Sequence, residues 1–219
     1  MNPEKFQKKL AETHSVSILL AVFSALIAHA DNALMKKILR DFKARGIKGE
    51  SLHEVIIQSY LFCGFPRMLD ALFNLAEEFA PDEYLGGRGG PVSLEYSREE
   101  SRRFERDGIA LIQRIYAERF PKLRDSIQSM SPDIYRIMIM EGYGKILSRP
   151  GLDVFTRELC VVATLAYEGR SRQLLAHLLG SLNVGVGVED LTELMDYIEP
   201  FTNSDRIAFA RTAINKLTD

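Results

Sequence analysis

The chain has 219 residues, 46% hydrophobic and 26% charged, with a formal net charge of −2. That near-neutral balance excludes the global pull toward nucleic acid or anionic membrane that a strongly basic chain exerts. No apolar run reaches the ~20 residues that span a bilayer, and the length suffices to bury a proper core.

Helical periodicity dominates and period-two strand alternation is almost absent, so the expected fold is all-α. A polar amphipathic helix is predicted over residues 3–13. The apolar stretch Ser15–Ala28 lacks a small-residue cleavage pattern and reads as a buried central helix, over about 15–30, rather than a signal peptide. Residues 31–45 put Leu34, Ile38 and Phe42 on one face, with Lys and Arg opposite, and Gly46 suits the helix C-terminus. Ser51-x-x-Glu54 matches a capping box and predicts a helix running to about Cys63. Gly64-Phe65-Pro66 breaks it, with Pro66 in the first turn of a helix reaching Phe79.

Residues 80–96 form the clearest loop, where four glycines and two prolines cannot sustain a helix. Its GGRGGP run lacks the Gly-Lys-Ser/Thr of a phosphate loop and reads as a linker or crossover arm. A charged, solvated helix follows over about 97–119. Ser131-Pro132-Asp133 is a strong helix start, and that helix ends before Pro150. Asp153 caps a helix over about 154–168, punctuated by Gly169. Further helices are predicted over 171–183, 189–199 and 203–217. The two cysteines, Cys63 and Cys160, form no C-x-x-C, which argues against a disulfide framework or a zinc site. They are expected to be small buried hydrophobes in a reducing cytoplasm.

A shift of 139 positions superposes Gly46 on Gly185, Glu50 on Glu189, Leu52 on Leu191, Glu54 on Glu193 and Arg67 on Arg206, with further Leu, Val, Phe and Ala identities. This predicts a duplicated helical unit. The expected organisation is a first, degenerate repeat over 1–80, a linker loop and charged helix over 81–128, and a second repeat over 129–219. Only the second copy carries an ionisable cluster: Ile38 stands opposite His177, and Ile18-Leu19 opposite Arg157-Glu158. In a short hairpin, Glu158 and His177 can form an acid–base pair in which the carboxylate orients the imidazole. Nearby arginines can hold a carboxylate in bidentate fashion. Spacing alone equally allows a satisfied polar contact at a packing or subunit interface.

SRPGLDVFTREL, then EGR, then the His of LLAHLLGSLNVGV resembles the central segment of the carboxymuconolactone decarboxylase family. In the first half, ESLHEVIIQSYLFCGFPRMLDALFNLAEE is similar to the segment that follows it there, with its aromatic-x-G-x-P turn. The resemblance implies an AhpD-like helical bundle and cofactor-free, metal-free lyase chemistry on a small carboxylated or lactone substrate. It makes His177 the proton-transfer group beside Glu158, with Arg149, Arg157 and Arg170 binding carboxylate or lactone oxygens. Gln173 is placed at the same site. Family members assemble into rings, so a homo-oligomer is implied, a trimer first and a dimer second. A cytoplasmic location with neither nucleic-acid nor membrane partners is expected. Two departures matter. Glu158 stands where the decarboxylases carry a small residue, and Arg170 and Gln173 occupy the two cysteine positions of AhpD-like peroxidases. Thiol peroxidase chemistry is therefore the lesser reading, beside a non-catalytic role in helical assembly or ligand binding.

Overall fold

The computed structural model describes residues 3–90 and 93–217, and among these every regular element is helical. The chain forms two compact units, residues 1–89 with 151–219 and residues 90–150. The segments are thus cut differently from the sequence expectation: residues 129–150 cluster with 90–128 rather than with the remainder of the chain.

The larger unit is built on α2 (Val16–His29) and α9 (Val154–Glu168), which pack against each other. Ser15 and Asp153 cap them through bonds to the Ile18 and Thr156 amides. Every residue of α2 from Ile18 to Ala28 is buried, as is α9 from Thr156 to Ala166. A helix buried on every side belongs at the centre of a core, so this pair is the unit's axis. Around it lie α1 (Pro3–Leu10), α3 (Asn32–Ala44), α4 (Gly49–Glu78), the short α5 (Pro81–Leu85), α10 (Ser171–Asn183), α11 (Val188–Ile198) and α12 (Ser204–Asn215). Helices α3 and α10, each 13 residues long, begin and end 139 positions apart. Across the axis, Ser17 and Thr156, separated by the same 139 positions, share a 2.8 Å hydroxyl hydrogen bond.

Two expectations need correction here. The Ser51-x-x-Glu54 box is not a cap, because α4 starts two residues earlier with Lys48 as its flanking residue. Gly49 lies so close to α5 that a Cβ would sit 2.7 Å from the Glu83 carbonyl oxygen. The helix begins at Gly49, and Glu54 is carried into its second turn, fully buried. Within 80–96, residues 81–85 are helical, with Pro81 at the first turn and the Glu83 carboxylate accepting the Ala80 amide at 2.6 Å. That loop's Pro91 and Val92 lie outside the described residues. The break at Gly64 is present as expected: its φ of 79° and ψ of 167° interrupt α4 between its two halves, a combination open in practice only to glycine.

The smaller unit contains α6 (Arg98–Tyr116), α7 (Phe120–Met130), α8 (Pro132–Ile137) and a ten-residue π-helix, Met138–Leu147. Ser97 and Glu100 form a true capping box on α6. The uninterrupted α-helix expected up to Pro150 widens into the π form, sealed by the Ser148 amide donating to the Tyr143 carbonyl five residues back. Gly108 of α6 and Gly144 of the π-helix meet backbone to backbone, with Gly144 against the Phe104 carbonyl. No side chain larger than hydrogen fits at that crossing, and this contact sets the approach of the two helices.

Candidate active site

Helices α9 and α10 form a hairpin whose connection is fixed by Gly169, at φ 71°, with the Arg170 amide closing onto the Leu165 carbonyl at 3.0 Å. The hairpin brings His177 Nδ1 to 2.9 Å from Glu158 Oε2. Both are buried, at 7% and 1% exposure. Core positions rarely hold two ionisable groups unless they are paired. An ionised carboxylate only accepts, so with Glu158 in that form the shared hydrogen belongs to Nδ1, and Nε2 is the other ring nitrogen open to acid–base chemistry. The Ser181 hydroxyl donates to the His177 carbonyl at 2.7 Å. Phe62, just before the α4 break, presents its ring to the imidazole nearly perpendicularly, with centroids 6.4 Å apart.

The sequence-nominated arginines do not converge on this pair. Arg157 is 2% exposed and turns to α4, where its Nη2 donates to Glu54 Oε2 and its Nη1 to Gln58 Oε1, each at 3.0 Å. Arg170 is exposed at the head of α10, 3.6 Å from the Glu168 carboxylate. Gln173, also exposed, lies one turn before His177 on the same helix, a spacing that puts the two on one face. Arg172 is exposed, in keeping with a solvated helix face. Arg149 belongs to the smaller unit, where with Arg103, Lys145, Tyr96 and Phe104 it lines a cleft of about 330 Å³.

Three residues of α4 that touch this hairpin have no site assignment from the sequence: Glu54, Gln58 and Phe62. The sequence pattern assigns Glu54 to a capping box and gives Gln58 and Phe62 no separate role. Their spacing of four residues was the available signal, since it puts all three on one stripe of α4. Arg67, beyond the Gly64 break, pairs with Glu168, and its coincidence with Arg206 under the 139-residue shift was the only hint.

The thiols are poorly suited to nucleophilic work. Burial pushes Cys63 up to about 11 even though the Arg67 guanidinium pulls the other way, and burial pushes the fully enclosed Cys160 up to about 12. Thiolate is the reactive form, and both cysteines are free thiols. Among the described residues no group of three His, Cys, Asp or Glu side chains is placed to hold a metal ion. No described helix is long and apolar enough to cross a membrane.

Fold and site together define an all-helical protein with a buried carboxylate–imidazole pair inside a helical hairpin. No family model matches the chain. It is 28% identical over 144 residues to Peroxisomal protein 2 of Schizosaccharomyces pombe, a match covering 64% of this chain and 63% of that protein. It is 32% identical over 71 residues to 4-carboxymuconolactone decarboxylase of Acinetobacter baylyi, covering 32% of this chain and 53% of the enzyme. The similarity is distant, and the chain spans less than two thirds of the length of either relative.

Proposed function

We propose that the chain is a cofactor-free acid–base enzyme of the carboxymuconolactone decarboxylase kind, acting on a small carboxylated or lactone substrate. The observation that carries this reading is the buried 2.9 Å contact between Glu158 and His177. The similarity to the Acinetobacter enzyme over 71 residues supports it. In the reaction envisaged, the bond between the ring carbon and the carboxylate breaks and carbon dioxide leaves. The electron pair passes into the conjugated lactone carbonyl. Imidazolium His177, stabilised by Glu158, delivers the Nε2 proton to the carbanionic carbon and is reprotonated by solvent. Arg170 and Gln173, exposed at the head of α10 before His177, are the candidates for binding the substrate's oxygens. Arg157, engaged by Glu54, has a structural share in the site, and Arg149 keeps its own cleft.

The helical unit is read as an internal duplication, supported by the matching bounds of α3 and α10 and by the Ser17–Thr156 contact. Phe65, Leu69 and Phe73 lie exposed along one stripe of α4, which favours self-association. The expected product is a trimer, with a dimer as the alternative outcome of light scattering. The cytoplasmic expectation is tested by imaging the tagged chain: diffuse signal supports it, and the punctate pattern suggested by the yeast relative's name overturns it.

The deciding experiment is a panel of carboxylated lactones and hydroperoxides offered to the wild type and to His177→Gln. Release of carbon dioxide from a lactone acid by the wild type, lost in the variant, supports the proposal. Reduction of hydroperoxides instead, or no turnover of any lactone, defeats it.

A further inference from the structure

Arg157 is the largest side chain enclosed in the core, and its surroundings form a closed hydrogen-bonded ring. Its Nη1 donates to Gln58 Oε1 at 3.0 Å, and Gln58 Nε2 donates back to the Arg157 main-chain carbonyl, also at 3.0 Å. Its Nη2 donates to Glu54 Oε2 at 3.0 Å, while Glu54 Oε1 accepts from Arg88 of the glycine-rich segment at 2.9 Å. Glu54 and Gln58 are 0% and 1% exposed. Gly151, of the SRPGL segment, closes over Glu54: at its φ of 106° a Cβ would lie 3.0 Å from Glu54 Cγ.

The residues of α4 that make this ring continue directly to the acid–base pair. Glu54, Gln58 and Phe62 follow at four-residue intervals. The first two grip the residue preceding Glu158 on α9, through both its side chain and its backbone. The third sets its ring edge against His177 on α10. One stripe of α4 therefore touches both helices of the hairpin that carries the pair. We propose that Glu54, Gln58 and Phe62 are positioning residues, a rail that fixes the separation of Glu158 and His177. Buried groups held by several bonds stay within the narrow geometric tolerance that proton transfer demands. A carboxylate bonded to two guanidiniums resists rotation better than one bonded to a single donor. This inference rests on the proposed acid–base role of the pair, but its test does not depend on turnover alone.

The test uses the full chain with Gln58→Leu, which removes both bonds to Arg157 at similar volume, Gln58→Glu, which keeps the bond to its guanidinium, and Phe62→Leu, which removes only the ring contact. The first readout is the His177 imidazole in nitrogen–proton NMR, where a hydrogen held between Nδ1 and Glu158 gives a protected signal. In Gln58→Leu and Phe62→Leu that signal is expected to broaden or vanish, with partial rescue in Gln58→Glu. With a turned-over lactone acid, kcat is expected to fall about 10–100-fold, with KM changed less than about threefold. A folded Gln58→Leu or Phe62→Leu protein with the wild-type His177 signal and kcat overturns the proposal. Should the wild type turn over nothing, the enzymatic reading fails while the NMR comparison still decides whether the rail holds the pair. Phe62→Leu decides the same question if Gln58→Leu does not fold.

Discussion

Replacing Glu54 by glutamine isolates the energetics of the buried network. The carboxylate has only acceptors and faces two guanidiniums, Arg157 at 3.0 Å and Arg88 at 2.9 Å. An amide must turn its NH2 toward one of them, setting donor against donor, and it leaves the Arg157 charge enclosed without a countercharge at that position. Arg157 and Glu54 side chains are 2% and 0% exposed, so water cannot compensate. Removing one partner of such a pair costs about 3–5 kcal/mol. At ~2–4 °C per kcal/mol for a protein of this size, the melting temperature falls by roughly 6–20 °C. Scanning calorimetry and urea unfolding measure it. Combining Glu54→Leu with Arg157→Met recovers more than half of the loss, because apolar replacement of a whole buried pair is often near neutral. A Glu54→Gln protein within about 1 kcal/mol of wild type, or a double variant as unstable as the two single changes summed, would refute the reasoning.

Further outcomes follow from particular residues. Burial lowers His29 below its ordinary value of ~6.5, with Nδ1 held 3.0 Å from the Tyr167 hydroxyl. The unfolded chain then binds this proton more readily than the folded one. The stability contributed is full above ~6.5 and drains away as pH falls through the folded value. A melting series from pH 7.5 to 5 should slope less in His29→Gln, and an identical slope counts against it. With Cys63 pushed up to about 11, iodoacetamide should label it slowly at pH 7.5 and faster with each step toward pH 10; rapid stoichiometric labelling at neutral pH would contradict that. Gly64→Ala should cost about 1–3 kcal/mol, because φ 79° with ψ 167° is closed to residues with a Cβ. Unchanged urea unfolding would show that the α4 break is not strained for alanine.

Much of the larger unit was legible because its signals are local. Asp153 and Gly169 bracket α9, one through a bond and the other as a left-handed residue that sequence displays directly. The pairing of Glu158 with His177 was also legible, since two helices joined by so short a turn leave little freedom. The fate of Arg157 was not. Its partners lie about 100 positions away on α4, and nothing local distinguishes an arginine bound for a ligand from one bound for a buried glutamate. Glu54 was misread for a related reason. Ser-x-x-Glu is a capping signature only where a helix starts, and α4 starts at Gly49, ahead of Ser51. The π-helix escaped prediction because Met138–Leu147 has ordinary helical periodicity.

The central claim is that His177, oriented by Glu158, moves the proton in a reaction on a carboxylated lactone. The most direct measurement is the ratio of kcat/KM for carbon dioxide release between wild type and His177→Gln, with correct folding verified by calorimetry. General acid–base groups contribute about 10²–10⁴-fold, so a loss in that range is predicted, with Glu158→Gln giving a smaller loss in the same direction. A His177→Gln protein that releases carbon dioxide at the wild-type rate would contradict the account.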